Sequence, residues 1–139
     1  MPGEFCDTNV IVYAYDRSDR KKQDAARELL DRMWADHLGV VSIQVLQELY
    51  VMLTRRTSSA ASREVVADLA QSWRVIEPQA VDVLAAIDHS EEWQLSFWDA
   101  MVLTTAAKAD ARIVWSEDLQ DGREYGGVRV FNPFRRSTV

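Results

Sequence analysis

A chain of 139 residues with 47% apolar content has room for one core and one domain, taken as 1–139. A formal net charge of −6 excludes a module held to nucleic acid by bulk charge alone, although a carboxylate site that binds metal carries such a deficit naturally. The single cysteine, Cys6, excludes an intrachain disulfide, and no leader or membrane-length apolar run is found, so a cytoplasmic location is expected.

Apolar strands alternate with helical patterns along the whole chain, the signature of an α/β protein. Glu4 to Asp7 reads as a first strand, and Val10 to Tyr15 as a helix capped by Thr8 or Asn9. Asp19 caps a second helix, in which Ala25, Ala26, Leu29, Leu30, Met33 and Trp34 recur at helical spacing. Gly39 to Val41 is a second strand, and Ser42 caps a helix reaching about Arg55. After a polar break, Ala61, Val65, Leu69 and Ala70 mark a helix ending near Ser72. Trp73 to Glu77 is a third strand, stopped by Pro78, and the helix after it presents Ala80, Val83, Leu84 and Ile87. Ser96 caps a helix running to about Ala109. Arg112 to Trp115 and Val128 to Phe131 supply a fourth and a fifth strand, and Arg135-Arg136 is a solvated basic tail. Short strands joined by helices imply right-handed crossovers and a mostly parallel sheet of four to five strands, covered on both sides.

Four carboxylates stand where a strand ends or a helix begins: Asp7, Glu48, Asp99 and Asp118. Ligands of open α/β sheets bind beyond the carboxyl ends of the strands, and all four acids can reach that edge. Three lie in apolar sequence, where an ionised carboxylate is costly unless it is paired or bound to a cation. No matching set of buried lysines or arginines exists, so one divalent-metal site built from all four is the simplest single explanation. Each acid also has a plainer reading. Asp7 in Asp-Thr-Asn is good turn chemistry. Glu48 sits at the border of an apolar arc, where it could pair with Arg55. Asp99 completes a capping-box pattern with Ser96. Asp118 belongs to an acidic loop in which Glu117 and Asp121 could take its place.

Together these segments resemble the PIN-domain family, and within it the VapC-like toxins of toxin–antitoxin pairs. The resemblance rests on Asp7-Thr-Asn-Val-Ile-Val-Tyr-Ala, Ser42-Ile-Gln-Val-Leu-Gln-Glu-Leu-Tyr, Ser96-Phe-Trp-Asp-Ala-Met-Val, Ser116-Glu-Asp-Leu-Gln-Asp-Gly and Val130-Phe-Asn-Pro-Phe, in that order. It implies a three-layer α/β/α fold and a metal-dependent endoribonuclease with Asp7, Glu48, Asp99 and Asp118 as its acidic tetrad. Asn9 and Ser116 match auxiliary polar positions. It also implies an RNA substrate, a cognate antitoxin and a homodimer, and the surplus of large apolar residues such as Trp34, Tyr50 and Trp73 agrees with pairing.

All-oxygen donors favour Mg²⁺, with Mn²⁺ able to substitute. One ion or two remain open. Arg55 and Arg56 are the candidates for RNA phosphate. Asp118, on a loop, is expected to be the most loosely held of the acids. Two other readings stay open: a Mg²⁺-binding receiver-like phosphoacceptor domain, and a non-catalytic PIN-like protein-interaction module. The first needs a lysine late in the sheet, and the only late lysine, Lys108, falls within a helix.

Overall fold

The computed structural model describes residues 2–135; Arg136, half of the basic tail, lies outside them. The elements run β1 (Glu4–Cys6), α1 (Thr8–Tyr13), α2 (Arg20–Ala35), β2 (Gly39–Ser42), α3 (Ile43–Leu53), α4 (Ser59–Ser72), β3 (Arg74–Ile76), α5 (Ala80–Trp93), α6 (Phe97–Lys108), β4 (Ile113–Trp115), β5 (Glu124–Tyr125) and β6 (Val128–Phe131). The strands form one sheet in the order β3-β2-β1-β4-β6-β5. Every neighbouring pair is parallel except β5 with β6.

The chain steps outward from β1 to β2 and β3, then returns to lay β4 on the other side of β1. Right-handed crossovers therefore put α1 to α4 on one face and α5 and α6 on the other. Helix α1 packs on α2 and α3, and α5 packs on α6. The strand order reverses between β1 and β4, and in open α/β sheets that reversal is where ligands bind. Main-chain bonding continues to the rim, where the Asp7 amide donates to Trp115 O at 3.0 Å.

The sheet has six strands rather than four to five. The missed strand, β5, is two residues long and pairs with β6 through Gly126-Gly127, at φ 56° and 90°. Both central residues of such a turn need positive φ, which glycine adopts without a Cβ clash. Two residues are too few to show alternation. Helix α1 begins at Thr8, because Asp7 itself is the N-cap and accepts from the Thr8 amide. Helix α3 stops at Leu53, short of Arg55.

The core is mainly apolar, with Phe5, Ile11, Met33, Leu49, Leu53 and Leu103 fully enclosed. Trp73 is buried edge-on against Trp34, their ring centroids 5.6 Å apart. A Cβ at Gly39 would stand 2.1 Å from Trp73 Cδ2. A rigid, buried ring cannot give way cheaply, so Gly39→Ala should destabilise the fold by about 1–3 kcal/mol. Urea unfolding measures this, and a midpoint equal to that of the parent would refute the close approach. Among the described residues no helix is long and apolar enough to cross a membrane.

Candidate metal centre

Asp7 ends β1 and caps α1, so two elements fix its carboxylate. Its Oδ1 accepts from the Thr8 amide at 2.8 Å, and its Oδ2 from the Ser116 hydroxyl at 3.1 Å. Burial raises its pKa to about 6; those two hydrogen bonds pull the other way, while the nearby charges of Asp118 and Glu48 add to the rise. Asp7 therefore caps a helix and also carries a carboxylate that burial and like charges disfavour as an anion.

Thr8 and Asn9 follow Asp7 in the first turn of α1 and reach one acid each. The buried Thr8 hydroxyl donates to Glu48 Oε1 at 3.1 Å. Asn9 Nδ2 donates to Asp118 Oδ2 at 2.9 Å. Ser116 Oγ, fully buried, also accepts from the Asp118 amide at 3.2 Å. Three acids thus gather around one short helix start: Asp7 from β1, Glu48 from α3 and Asp118 from the loop after β4. The sequence offered Thr8 only as a helix cap, not as a site residue; its one further signal is a hydroxyl between two site residues.

Asp99 stands apart from this network. It lies in the first turn of α6, and α6 runs antiparallel to the strands, so its start is at the same edge of the sheet. Ser96 Oγ accepts from the Asp99 amide at 3.1 Å. The reciprocal bond of a capping box is not made, and no hydrogen bond or ion pair reaches the Asp99 carboxylate from the described residues. By contrast Asp82, three residues after the cap of α5, does return a bond to the Gln79 amide at 2.7 Å. The Asp99 carboxylate is left free for a ligand.

The two substitutes for Asp118 are occupied. Glu117 accepts from Tyr13 OH at 3.3 Å and forms an ion pair with Lys22. Asp121 accepts from the Asn132 amide at 2.8 Å, which ties it to the end of β6. Arg56 is also engaged, with Met52 O at 3.0 Å and Asp16 at 3.6 Å. Arg55, in the turn after α3, is exposed and its guanidinium has no bond among the described residues; no Arg55–Glu48 pair forms. Cys6, beside Asp7, is fully buried, and burial pushes its thiol well above the usual range, which makes it unreactive.

Among the described residues no group of three or more His, Cys, Asp or Glu forms a ready-made metal cage. The donor chemistry nevertheless suits a hard cation: all candidate ligands are carboxylate oxygens. Hydroxyl and amide groups of Thr8, Asn9 and Ser116 bridge three of the carboxylates, those of Asp7, Glu48 and Asp118. A buried acid repelled by two others is the arrangement that a divalent ion would relieve.

A PIN domain profile matches residues 5–120, and the chain belongs to the PIN-domain family. Several solved structures resemble it in fold. One is from a toxin–antitoxin complex of Klebsiella pneumoniae, at TM-score 0.71 and 18% identity, covering 94% of this chain and 98% of that one. A second is VapC20 of Mycobacterium tuberculosis, described as a sarcin-ricin loop cleaving toxin, at TM-score 0.63 and 23% identity, covering 84% and 90%. A third, from the FitAcB structure of Neisseria gonorrhoeae, has TM-score 0.62 and 16% identity, covering 95% and 99%. At these identities the likeness is one of fold. No curated protein sequence matches the chain.

Proposed function

We propose that this protein is a Mg²⁺-dependent endoribonuclease that acts as the toxin of a toxin–antitoxin pair. The observation that carries the reading is the Asp7 carboxylate, held beside Glu48 and Asp118 at the switch point of a PIN-family sheet. Asp7, Glu48, Asp99 and Asp118 would hold the ion. When bound, the ion lowers the pKa of a coordinated water and neutralises charge on the scissile phosphate. Thr8, Asn9 and Ser116 orient the carboxylates, and Arg55 offers the free guanidinium for phosphate. Cleavage of a structured RNA should require Mg²⁺ or Mn²⁺ and stop with a chelator. Undiminished cleavage in chelator would overturn the metal mechanism. No cleavage of any RNA with metal present would favour the non-catalytic module.

The receiver-like alternative loses its lysine. Lys108, at the far end of α6, pairs with Asp82 at 2.6 Å, and α6 ends at the amino edge of the sheet.

Partners follow from the surface. Two structural neighbours are described as VapBC bound to DNA, which in those proteins joins toxin and antitoxin. In this chain Leu49 is fully enclosed and Tyr13 is bonded to Glu117, so neither lines an open cleft at the acidic edge. A groove of about 840 Å³ does open beside Arg56, with Tyr15 and Val65 as apolar lining, Arg17 and Arg27 among its cations, and Asp16, Glu64 and Asp68 among its acids. Its apolar lining would suit an antitoxin segment, while its three arginines are matched by Asp16, Glu64 and Asp68 and give no preference for acidic residues.

Homodimer formation gains a different basis from the one read in sequence. Trp34 and Trp73 pack on each other, and only Tyr50 of that set is exposed. The surplus apolar surface is on α5, where Val81 is 68% and Leu84 63% exposed, with Ile87 beside them and Trp98 on α6 at 61%. Light scattering should give twice the chain mass at micromolar concentration, and Leu84→Glu should shift it to monomer. A monomer in the parent chain would refute pairing. The cytoplasm suits a protein whose one cysteine is a buried free thiol.

A further inference from the structure

Lys22 is the third residue of α2, a helix start where a cation opposes the helix dipole. The sequence presents it as one of a run of solvated basic residues, Arg17, Arg20, Lys21 and Lys22. The structure gives it a built seat instead. Its ammonium bonds Glu117 and Tyr13 OH, lying 4.6 Å from the centroid of the Tyr13 ring and 5.3 Å from that of Phe134. Those two rings meet edge to face at 4.9 Å. The seat draws on four segments: α1, α2, the loop after β4, and the chain end after β6.

Glu117 lies between the two residues that build the site from that loop. Ser116 bonds Asp7, and Asp118 is bonded by Asn9. Glu117 is bonded by Lys22 of α2 and Asp118 by Asn9 of α1, so the two neighbouring carboxylates are held by different helices. Lys22 and Tyr13 occupy both Glu117 oxygens on the side of α2. That leaves Asp118, with one methylene fewer, turned toward Asn9 and Asp7. It also keeps a further negative charge away from carboxylates that already repel one another.

We infer that Lys22 is a positioning residue of the metal site: by holding Glu117 outward, it makes Asp118 the acid that faces Asp7. This rests on the metal-site reading above, and the test includes a measurement made without metal. The side-chain amide of Asn9 reports the bond to Asp118 in ¹⁵N NMR spectra, and Asp118→Asn supplies the reference for its loss. Lys22→Met should move the Asn9 amide toward that reference and weaken Mn²⁺ binding by about tenfold, in the range of groups that act through a ligand. Lys22→Arg should restore both. Lys22→Met combined with Glu117→Gln should also recover both, because no unpaired carboxylate then remains to swing inward.

An Asn9 amide unmoved in folded Lys22→Met overturns the inference, whatever the parent protein does with Mn²⁺ or RNA. So does an effect that persists undiminished in the double variant, which would mark Lys22 as a direct RNA contact or a purely structural residue. Should Lys22→Met fail to fold, Glu117→Asp, too short to reach Lys22, must give the same Asn9 shift; an unmoved resonance there is equally fatal. A parent chain that binds no Mn²⁺ and cuts no RNA removes the ribonuclease reading, while the metal-free resonance still decides how Asp118 is held.

Discussion

Asp7→Asn should abolish metal-dependent cleavage and, at the same time, make the metal-free fold more stable at alkaline pH. The Asp7 pKa is raised by burial and by like charges to about 6, from 3.8 for an unperturbed aspartate. The folded state therefore binds the proton more tightly than the unfolded chain. Below pH 3.8 both states are protonated and this group contributes nothing differential. Above about pH 6 both are ionised, and the folded state carries the full penalty. Two pKa units amount to about 3 kcal/mol, taken as an upper figure. Metal-free stability should thus rise as pH falls from 8 toward 4, before general acid unfolding sets in. In Asp7→Asn that rise should be largely gone.

The gain in the variant will fall short of the full figure, because Ser116 must reverse its hydrogen bond to meet an amide nitrogen. Urea unfolding at several pH values, in chelator, measures the effect. Equal pH slopes in parent and variant would show that Asp7 is not the strained acid. Activity should drop beyond the ~100-fold that loss of an outer group costs. Full activity in Asp7→Asn would remove Asp7 from the site. A residue whose replacement stabilises the fold while ending the chemistry is what functional strain predicts.

The second large effect concerns Asp118 against Asp99. Sequence places Asp118 on an acidic loop and Asp99 in a helix turn, which suggests that Asp118 is the looser ligand. The structure ties Asp118 through Asn9 and through its own amide on Ser116, and its charge is among those that raise Asp7. Asp99 has no such bond to the others. Asp118→Asn should therefore weaken Mn²⁺ binding by more than ~100-fold, and Asp99→Asn by about 10–100-fold, the range of a group that joins the ion less directly. Calorimetric Mn²⁺ titration of both variants decides. If Asp118→Asn binds like the parent while Asp99→Asn binds nothing, the loop acid is peripheral after all. Asp118→Asn should also bring the Asp7 pKa down, since a like charge is removed, and carboxyl NMR reads that directly.

Much of this molecule could be read before any coordinates existed. The helix starts at Asp19, Ser42 and Ser96 were legible because a side-chain oxygen at the cap and apolar residues at helical spacing are local signals. The α/β class and the parallel sheet came from the same short-range chemistry, as did Asp7 after β1 and Asp99 in the first turn of α6, whereas Glu48 falls in the middle of α3 rather than at a helix start. The end of α3 and the strand β5 were not legible. The first is a helix end that no glycine or proline marks, and the second is two residues held only by their partner strand.

What the sequence could not decide is which charged groups meet. Glu117, Asp118 and Asp121 are equivalent on paper, three acids in one loop. They become distinct only when Lys22 comes in from α2, Asn9 from α1 and Asn132 from the end of β6. Arg55 and Glu48 share a helix-like spacing but not a contact, since the helix stops first. The reason is physical: caps and periodicity depend on residues a few positions apart, whereas ion pairs and buried carboxylates depend on atoms that only the packed sheet and helices bring within reach. Residue types and their local order determined the architecture and the set of candidate acids. Tertiary packing brought Asp118 to Asn9, paired Glu117 with Lys22, and left Asp7 among like charges.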